Sequence, residues 1–586
     1  MTNVLIEAPS ALQTETPINA HLSERRRRLI IALVLVPVFV GSIDLTIASA
    51  ILPEVLIKLN IPIDTNLGTA AWVVTGYLLA YTISMALMGR FSDMVGRRGA
   101  FLACLGLFII GSWWVATAHL FPTALLNDVA RRYLGLRPDL NQLTLLAVVI
   151  GRVIQALGAG AVVPVSLALV ADLYPPERRA AAVGSIGAMD TLGWVLGHLY
   201  GGVMVGFFQQ HGEAIRLWLA GLGLALPAPD WRTLFWINVP LGAFAFVLML
   251  FALRGVQHPI SPGRLDLIGA LLIAAALTCL VLGLGGNTDV TGATSLRALE
   301  AQASQSPYNL PLLAAAAALF GVFLLWEWRQ AHPILELHLF RQRAVSAATL
   351  TNLLIGFLLM LGLVSVPLLI NLRAENASAE AIARAAERAG LLLSTLTIPM
   401  ALAAVPGAWL SGRIGFRGTT LSGIALAIVG FALAGGTWRA DTSELVMSAQ
   451  LTLIGIGLGL TIAPIGTVVI NAVGAARRGV ASALVLIMRY LGMTIAIPSM
   501  TTYAFSRLNY LVSLARESFA PDWTAEQIQR ESVRAYFDSG VTVIAEMLLI
   551  GALIGVLALL PALWLRTAQP KATYAESGAR DAQLER

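Results

Sequence analysis

Long apolar runs separated by short charged stretches fill this sequence from Leu29 to Leu565. A helix needs roughly 20 mostly apolar residues to cross the hydrocarbon core of a membrane. Fourteen runs of about that length can be counted, the first Leu29–Leu52 and the last Val541–Leu565. Lipid offers the backbone no water to bond, so spanning segments are either helices or strands of a closed barrel. Barrel strands are short and alternate in polarity, whereas these runs are long and continuous. The chain therefore reads as an all-α polytopic membrane protein with fourteen transmembrane helices. Composition agrees: 12% of residues are charged, against about 25% in a soluble domain.

The formal charge of +6 raises the question of a nucleic-acid partner. The arginines answer it by their positions. Arg97 and Arg98, Arg178 and Arg179, Arg413 and Arg417, and Arg477 and Arg478 all fall in alternate loops. Alternate loops share one side, and basic loops stay cytoplasmic. The expectation is an inner-membrane protein that binds no nucleic acid, with both termini cytoplasmic. Arg25 to Arg28 abut the first run directly, which reads as an anchor rather than a cleavable signal. Cys104 and Cys279 lie inside apolar runs and read as small core residues. No spacing suggests a metal or a cofactor, no loop suits a nucleotide phosphate, and no cluster has catalytic spacing. The expectation is a transporter driven by the proton gradient, not an enzyme.

The runs group into residues 29–254, a six-helix bundle; 255–343, two linker helices; and 344–566, a second six-helix bundle. Polar tails occupy 1–28 and 567–586. Weak internal repeats relate the two bundles. Asp190 and Arg489 each fall eleven residues after an arginine pair, and Ser92, Gly96, Arg98 and Gly99 echo Ser411, Gly415, Arg417 and Gly418. Such symmetry marks transporters with a site between two related halves. Three outward segments are long: His119–Gln142, Phe208–Thr233 and Ser506–Gly540. In the last, Leu508, Leu511, Ala515 and Phe519 continue a helical stripe, Pro521 breaks it, and Thr524 with Gln527 has capping-box spacing. A helical hairpin above the outer face, about residues 506–540, is expected, with a lipid substrate or a partner as its contact.

A charge near the bilayer centre costs at least about 2.5–3.5 kcal/mol, so the intramembrane charges need a reason. Asp44 and Arg152 lie at similar depth and can neutralise each other. Asp190 and Arg489 form a second candidate pair, and His198 lies two turns beyond Asp190. These five are the candidate proton-coupling residues.

Gly89-Arg90-Phe91-Ser92-Asp93-Met94-Val95-Gly96-Arg97-Arg98 resembles the signature cytoplasmic loop of the major facilitator superfamily. Asp93 can sit at a helix N-terminus, and Arg97 and Arg98 can pair across to the other bundle. Gly41-Ser42-Ile43-Asp44, Trp72 to Leu79, Trp231 to Gly242 and Leu265-Asp266-Leu267-Ile268-Gly269 resemble, in order, segments of the fourteen-helix drug:proton antiporter family. The fifth helix departs from that pattern, with His198 where the antiporter motif has proline. It keeps Gly193, Gly197 and Gly201 at four-residue spacing, which permits close helix packing. The resemblance implies proton-coupled export of amphipathic small molecules, including drugs. Export of lipid or glycolipid on the same fold is the alternative, and a non-transporting scaffold or receptor is the reading from another class.

Overall fold

The computed structural model describes residues 19, 22–61, 72–224, 226–258, 260, 265–283, 309–330, 333–335, 337–373, 379–439, 441–473, 477–517, 519, 523–565. The polar C-terminal tail and the loop between the linker helices lie outside them. The helices, in order, are α1 Glu24–Lys58, α2 Trp72–Val95, α3 Arg97–Ala116, α4 Phe121–Tyr133, α5 Leu140–Leu173, α6 Pro176–Gly221 and α7 Trp231–Ala252. Then come α8 Leu267–Gly283, α9 Leu310–Arg329, α10 Arg343–Leu372, α11 Ala379–Thr437, α12 Glu444–Asn471, α13 Arg478–Glu517 and α14 Ala525–Ala562.

Among the described residues, twelve helices are long and apolar enough to cross a membrane, and Leu267–Leu280 is a shorter apolar helix. One of the twelve, α11, bends at Gly415, where φ is 77°. It is two passes joined by a tight turn, which brings the total to fourteen. Gly96, between α2 and α3, has φ 90°. The two glycines matched by the internal repeat thus adopt the same left-handed turn, which only glycine enters without steric cost.

Packing divides the helices. α1, α2, α3, α5, α6 and α7 pack on one another, as do α10 to α14, while α8 packs on α9 and on α2. The two groups meet at their arginine-bearing ends. There Gly89 of α2 abuts Gly479 of α13, and Gly184 of α6 abuts Ala404 of α11. At the opposite end, polar side chains cap the entering helices: Asp139 on α5, Asp230 on α7, Ser443 on α12 and Thr524 on α14. The Thr524–Gln527 capping box is complete, with both reciprocal hydrogen bonds formed.

Several helices are longer than a membrane needs. The 46 residues of α6 and the 40 of α13 span roughly 69 and 60 Å at 1.5 Å per residue, against roughly 30 Å of hydrocarbon. α13 and α14 therefore rise together as the expected hairpin. Leu508 is buried there, and Leu511, Val512, Tyr536 and Phe537 join the same apolar cluster. Arg507 clasps Glu546 at 2.8 Å, and the Tyr503 hydroxyl donates to Glu546 at 2.8 Å. Part of the stripe is thus covered by the hairpin itself, while Tyr510, Leu514 and Val533 stay exposed.

Candidate functional site

The first intramembrane pair forms as the sequence suggested. Arg152 Nη1 on α5 donates to Asp44 Oδ2 on α1 at 2.5 Å, and both side chains are buried. Arg152 Nη2 donates to the Asp44 main-chain oxygen at 3.0 Å. The carboxylate's other oxygen accepts from Asn238 Nδ2 on α7 at 2.9 Å. Gln155 accepts from Arg152 at 2.8 Å and donates to Ser112 at 2.8 Å. The guanidinium lies over the Tyr77 ring, 3.8 Å from its centroid. Three transmembrane helices thus converge on one carboxyl group, and a fourth, α2, supplies an aromatic face. Sequence reasoning had not assigned Asn238 or Gln155 a role. Both carried a signal, since each is a polar side chain inside an otherwise apolar run.

The second pair does not form. Asp190 Oδ1 accepts from the Ser42 hydroxyl on α1 at 2.7 Å, and Arg489 Nε reaches Asn352 Oδ1 on α10 at 3.5 Å. Each acquires its partner inside its own bundle, so the expected Asp190–Arg489 ion pair is absent here. The two remain within electrostatic reach of each other. Next to Arg489 in the chain, Tyr490 meets Tyr81 and Trp194 edge-on, with ring centroids 5.6 and 6.3 Å apart. The His198 side chain lies outside the described residues.

The glycine spacing of α6 has the expected consequence. A Cβ on Gly193 would stand 2.6 Å from the Phe39 oxygen, and one on Gly197 would stand 2.3 Å from the Ile43 oxygen. Gly201 is buried one turn further on. The close approach holds Ser42 and Thr46 against α6, where Thr46 donates to the Trp194 oxygen at 2.6 Å.

At the arginine-bearing end, Asp93 sits on the first turn of α13. Its carboxylate accepts from Gly479 N–H at 3.0 Å and Val480 N–H at 3.1 Å. Arg97 also donates to Asp93, and its Nε donates to Asp172 at 3.1 Å. Two other arginines cross between the bundles: Arg478 donates to Asp172 at 3.0 Å and Arg179 donates to Asn471 Oδ1 at 2.8 Å, while Arg98 donates to the Leu250 oxygen. The geometry explains the difference: Arg97 starts α3 directly after the Gly96 turn and is folded back onto α2 and α5. Asp172 was missed because an acid at the end of a span reads as an ordinary interfacial charge. The acids, arginines and helix dipole together seal this end.

Above the seal lies a cavity of about 440 Å³, within the range of ligand pockets. It is bounded by α1, α2, α6, α10, α11 and α13 and by both linker helices, with Leu277, Phe320, Phe323, Ile487, Met488 and Trp194 in its wall. No charged residue lines it among the described residues.

Two helix groups sealed at one end, an apolar chamber between them and an acid–base pair buried inside one group define a membrane transporter. The sequence profile of the Major Facilitator Superfamily matches residues 34–497, and the chain belongs to that family. It is 32% identical over 557 residues to a triacylglyceride transporter of Mycolicibacterium smegmatis, covering 91% of this chain and 88% of that protein. A triacylglyceride transporter of Mycobacterium tuberculosis is 31% identical, covering 85% and 86%. Among solved structures, the proton:xylose symporter XylE superposes with a TM-score of 0.54 at 15% identity, covering 92% of this chain and 95% of that one. FucP in its outward conformation gives 0.54 at 13% identity, covering 93% and 100%. At that identity the likeness is one of fold.

Proposed function

We propose that this chain exports a neutral long-chain lipid of the triacylglyceride class across the inner membrane, driven by proton influx. The carrying observation is the apolar chamber, which offers no acid for a cationic drug and no base for an anionic headgroup. A charged ligand left unpaired there would pay a desolvation cost of several kcal/mol, whereas an acyl chain gains about 0.8 kcal/mol for each CH₂ removed from water. The names of the mycobacterial relatives support the same reading. The multidrug alternative lacks such an observation, because amphipathic drugs are often cationic.

Asp44 is the proposed proton carrier. Its carboxyl is held by Arg152 and Asn238, so protonation would release Arg152 toward Gln155 and Tyr77 and loosen α1 from α5. Asp190 and Arg489 are proposed to respond second, since neither is locked in an ion pair in this state. Asp93, Arg97 and Arg98, with Gly193, Gly197 and Gly201, are proposed to serve the conformational change. The seal and both termini are proposed to lie on the cytoplasmic side, a reading that the arginine-bearing loops support.

Purified protein in vesicles provides the test. A fluorescent triacylglyceride and a cationic dye would be followed as they leave a leaflet accessible to a quencher. The proposal expects transport of the lipid and little of the dye. Transport of the dye alone would restore the multidrug reading.

A further inference from the structure

The base of the linker hairpin holds two buried acids that the proposed transport cycle does not use. Asp266 precedes α8 and is 7% exposed, and Glu327 lies in the last turn of α9 and is 2% exposed. They meet over Gly269. The point where a Cβ on Gly269 would stand is 2.5 Å from Asp266 Oδ2 and 2.7 Å from Glu327 Oε1. Two carboxyl oxygens thus converge above a residue that has no side chain to separate them.

Three of the four oxygens have donors. Asp266 Oδ1 accepts from Gly269 N–H at 2.9 Å, and Oδ2 accepts from the Trp326 indole at 2.8 Å. Glu327 Oε2 accepts from Leu335 N–H at 3.1 Å. Glu327 Oε1, which faces Asp266, is buried with no partner. No basic side chain among the described residues forms an ion pair with either acid. The groups facing Glu327 are Asp266 before α8 and the Ile334 and Leu335 amides after α9, and the Trp326 indole faces Asp266; of these only Asp266 carries charge. Two ionised carboxylates cannot share such a site without a cation between them.

We propose that Asp266 and Glu327 form a proton-binding site, one proton shared between Oε1 of Glu327 and Oδ2 of Asp266. The proton comes from water at the arginine-bearing face and returns there; only an O–H bond forms and breaks. The shared proton supplies the one donor the cluster lacks. The site has a mechanical consequence. Phe323, Ile334 and Leu335 line the apolar cavity, so the protonated pair pins the hairpin to the segment that leads into α10. Removal of the proton places two like charges under the cavity wall and pushes the bases of α8 and α9 apart. This site is independent of Asp44 and of the substrate.

Infrared difference spectroscopy on the full-length protein in vesicles, titrated with pH and repeated in D₂O, tests it. Wild type is expected to show a protonated-carboxyl C=O band at neutral pH that vanishes as the pH becomes alkaline. Glu327→Gln should lose that band, because the carboxyl that carries the proton is gone, whereas Asp266→Asn should move its frequency, because the oxygen that shares the proton is gone. Asp44→Asn should keep it, which separates this site from the transport reading. Glu327→Gln supplies an N–H where the proton stood, so it should fold and hold its thermal stability at alkaline pH where wild type declines. Equal carboxyl bands in wild type and Glu327→Gln would overturn the proposal. So would a wild-type stability that follows sodium or potassium concentration at fixed pH, since the site would then hold a metal cation.

Discussion

Asp93 caps the helix that begins at Arg478, accepting from the Gly479 and Val480 amides with its two carboxylate oxygens at 3.0 and 3.1 Å. This contact joins the two bundles at one end of the molecule. An anion at a helix N-terminus is favoured by the helix dipole, and hydrogen bonds to a charged group contribute about 1.5–3 kcal/mol each.

Asp93→Ala should therefore shift the population toward the inward-open form by one to two orders of magnitude, roughly what losing 1.5–3 kcal/mol implies. Gly479→Ala should act the same way, because its Cβ would stand 2.3 Å from the Gly89 oxygen. Distances between spin labels at the ends of α2 and α13 are the measurement. An unchanged distribution in both variants would remove this contact from the gate.

The seal also marks the limit of what residues in order reveal. Apolar run length fixed the spans, because lipid forbids alternatives to the helix. The Thr524–Gln527 cap and the Asp44–Arg152 pair were legible because each rests on local spacing or on a charge that has no other reason to be buried. The Asp172–Arg478 bridge joins residues 306 positions apart, and nothing local in either helix announces it. The Asp190–Arg489 pairing failed for the opposite reason: matched positions in a repeat do not record that Ser42 and Asn352 reach the two side chains first. Glu327 was overlooked because it stands near Arg329 at the end of a run, where a charge usually faces water. The substrate was not legible at all, since the chamber draws its walls from both bundles and both linker helices.

Glu54 lies on α1 beyond the spanning segment Glu24–Ala48, buried. Burial, and then the nearby Asp230, raise its carboxyl from 4.5 to about 7. An acid with a raised folded-state pKa binds its proton more tightly when folded. Its contribution is therefore full below about pH 4.5 and lost as the pH rises toward 7. Glu54→Gln should match wild type in melting temperature at the acid end and exceed it near neutrality. Parallel curves across that window would show that Glu54 titrates normally.

Gly197→Val should disrupt the α1–α6 contact. Its Cβ would stand 2.1 Å from Thr46 Oγ1 and 2.3 Å from the Ile43 oxygen, and overpacking of this kind costs about 1–3 kcal/mol or more. Gly202→Val, four Å clear of every neighbour, serves as the control. Thermal unfolding of the two variants in detergent should separate them; equal stability would mean that α6 can shift away from α1 without cost.

The outer hairpin is expected to serve the lipid. It exposes Tyr510, Leu514 and Val533, and exposed apolar side chains of this kind can contact other molecules. Replacing Leu508–Phe537 with a short flexible linker should reduce lipid export more than any residual dye transport. Equal loss of both, with reduced stability, would assign the hairpin to folding.

Coupling of lipid export to protons through Asp44 is the core of the account. The direct measurement is triacylglyceride export from reconstituted vesicles with and without an imposed pH gradient, in wild type and in Asp44→Asn. Wild type is expected to export lipid against its gradient and to acidify the compartment that receives the protons. Asp44→Asn is expected to remain folded, to exchange lipid only downhill and to move no protons. Uphill export by Asp44→Asn, or wild-type export indifferent to the pH gradient, would contradict it.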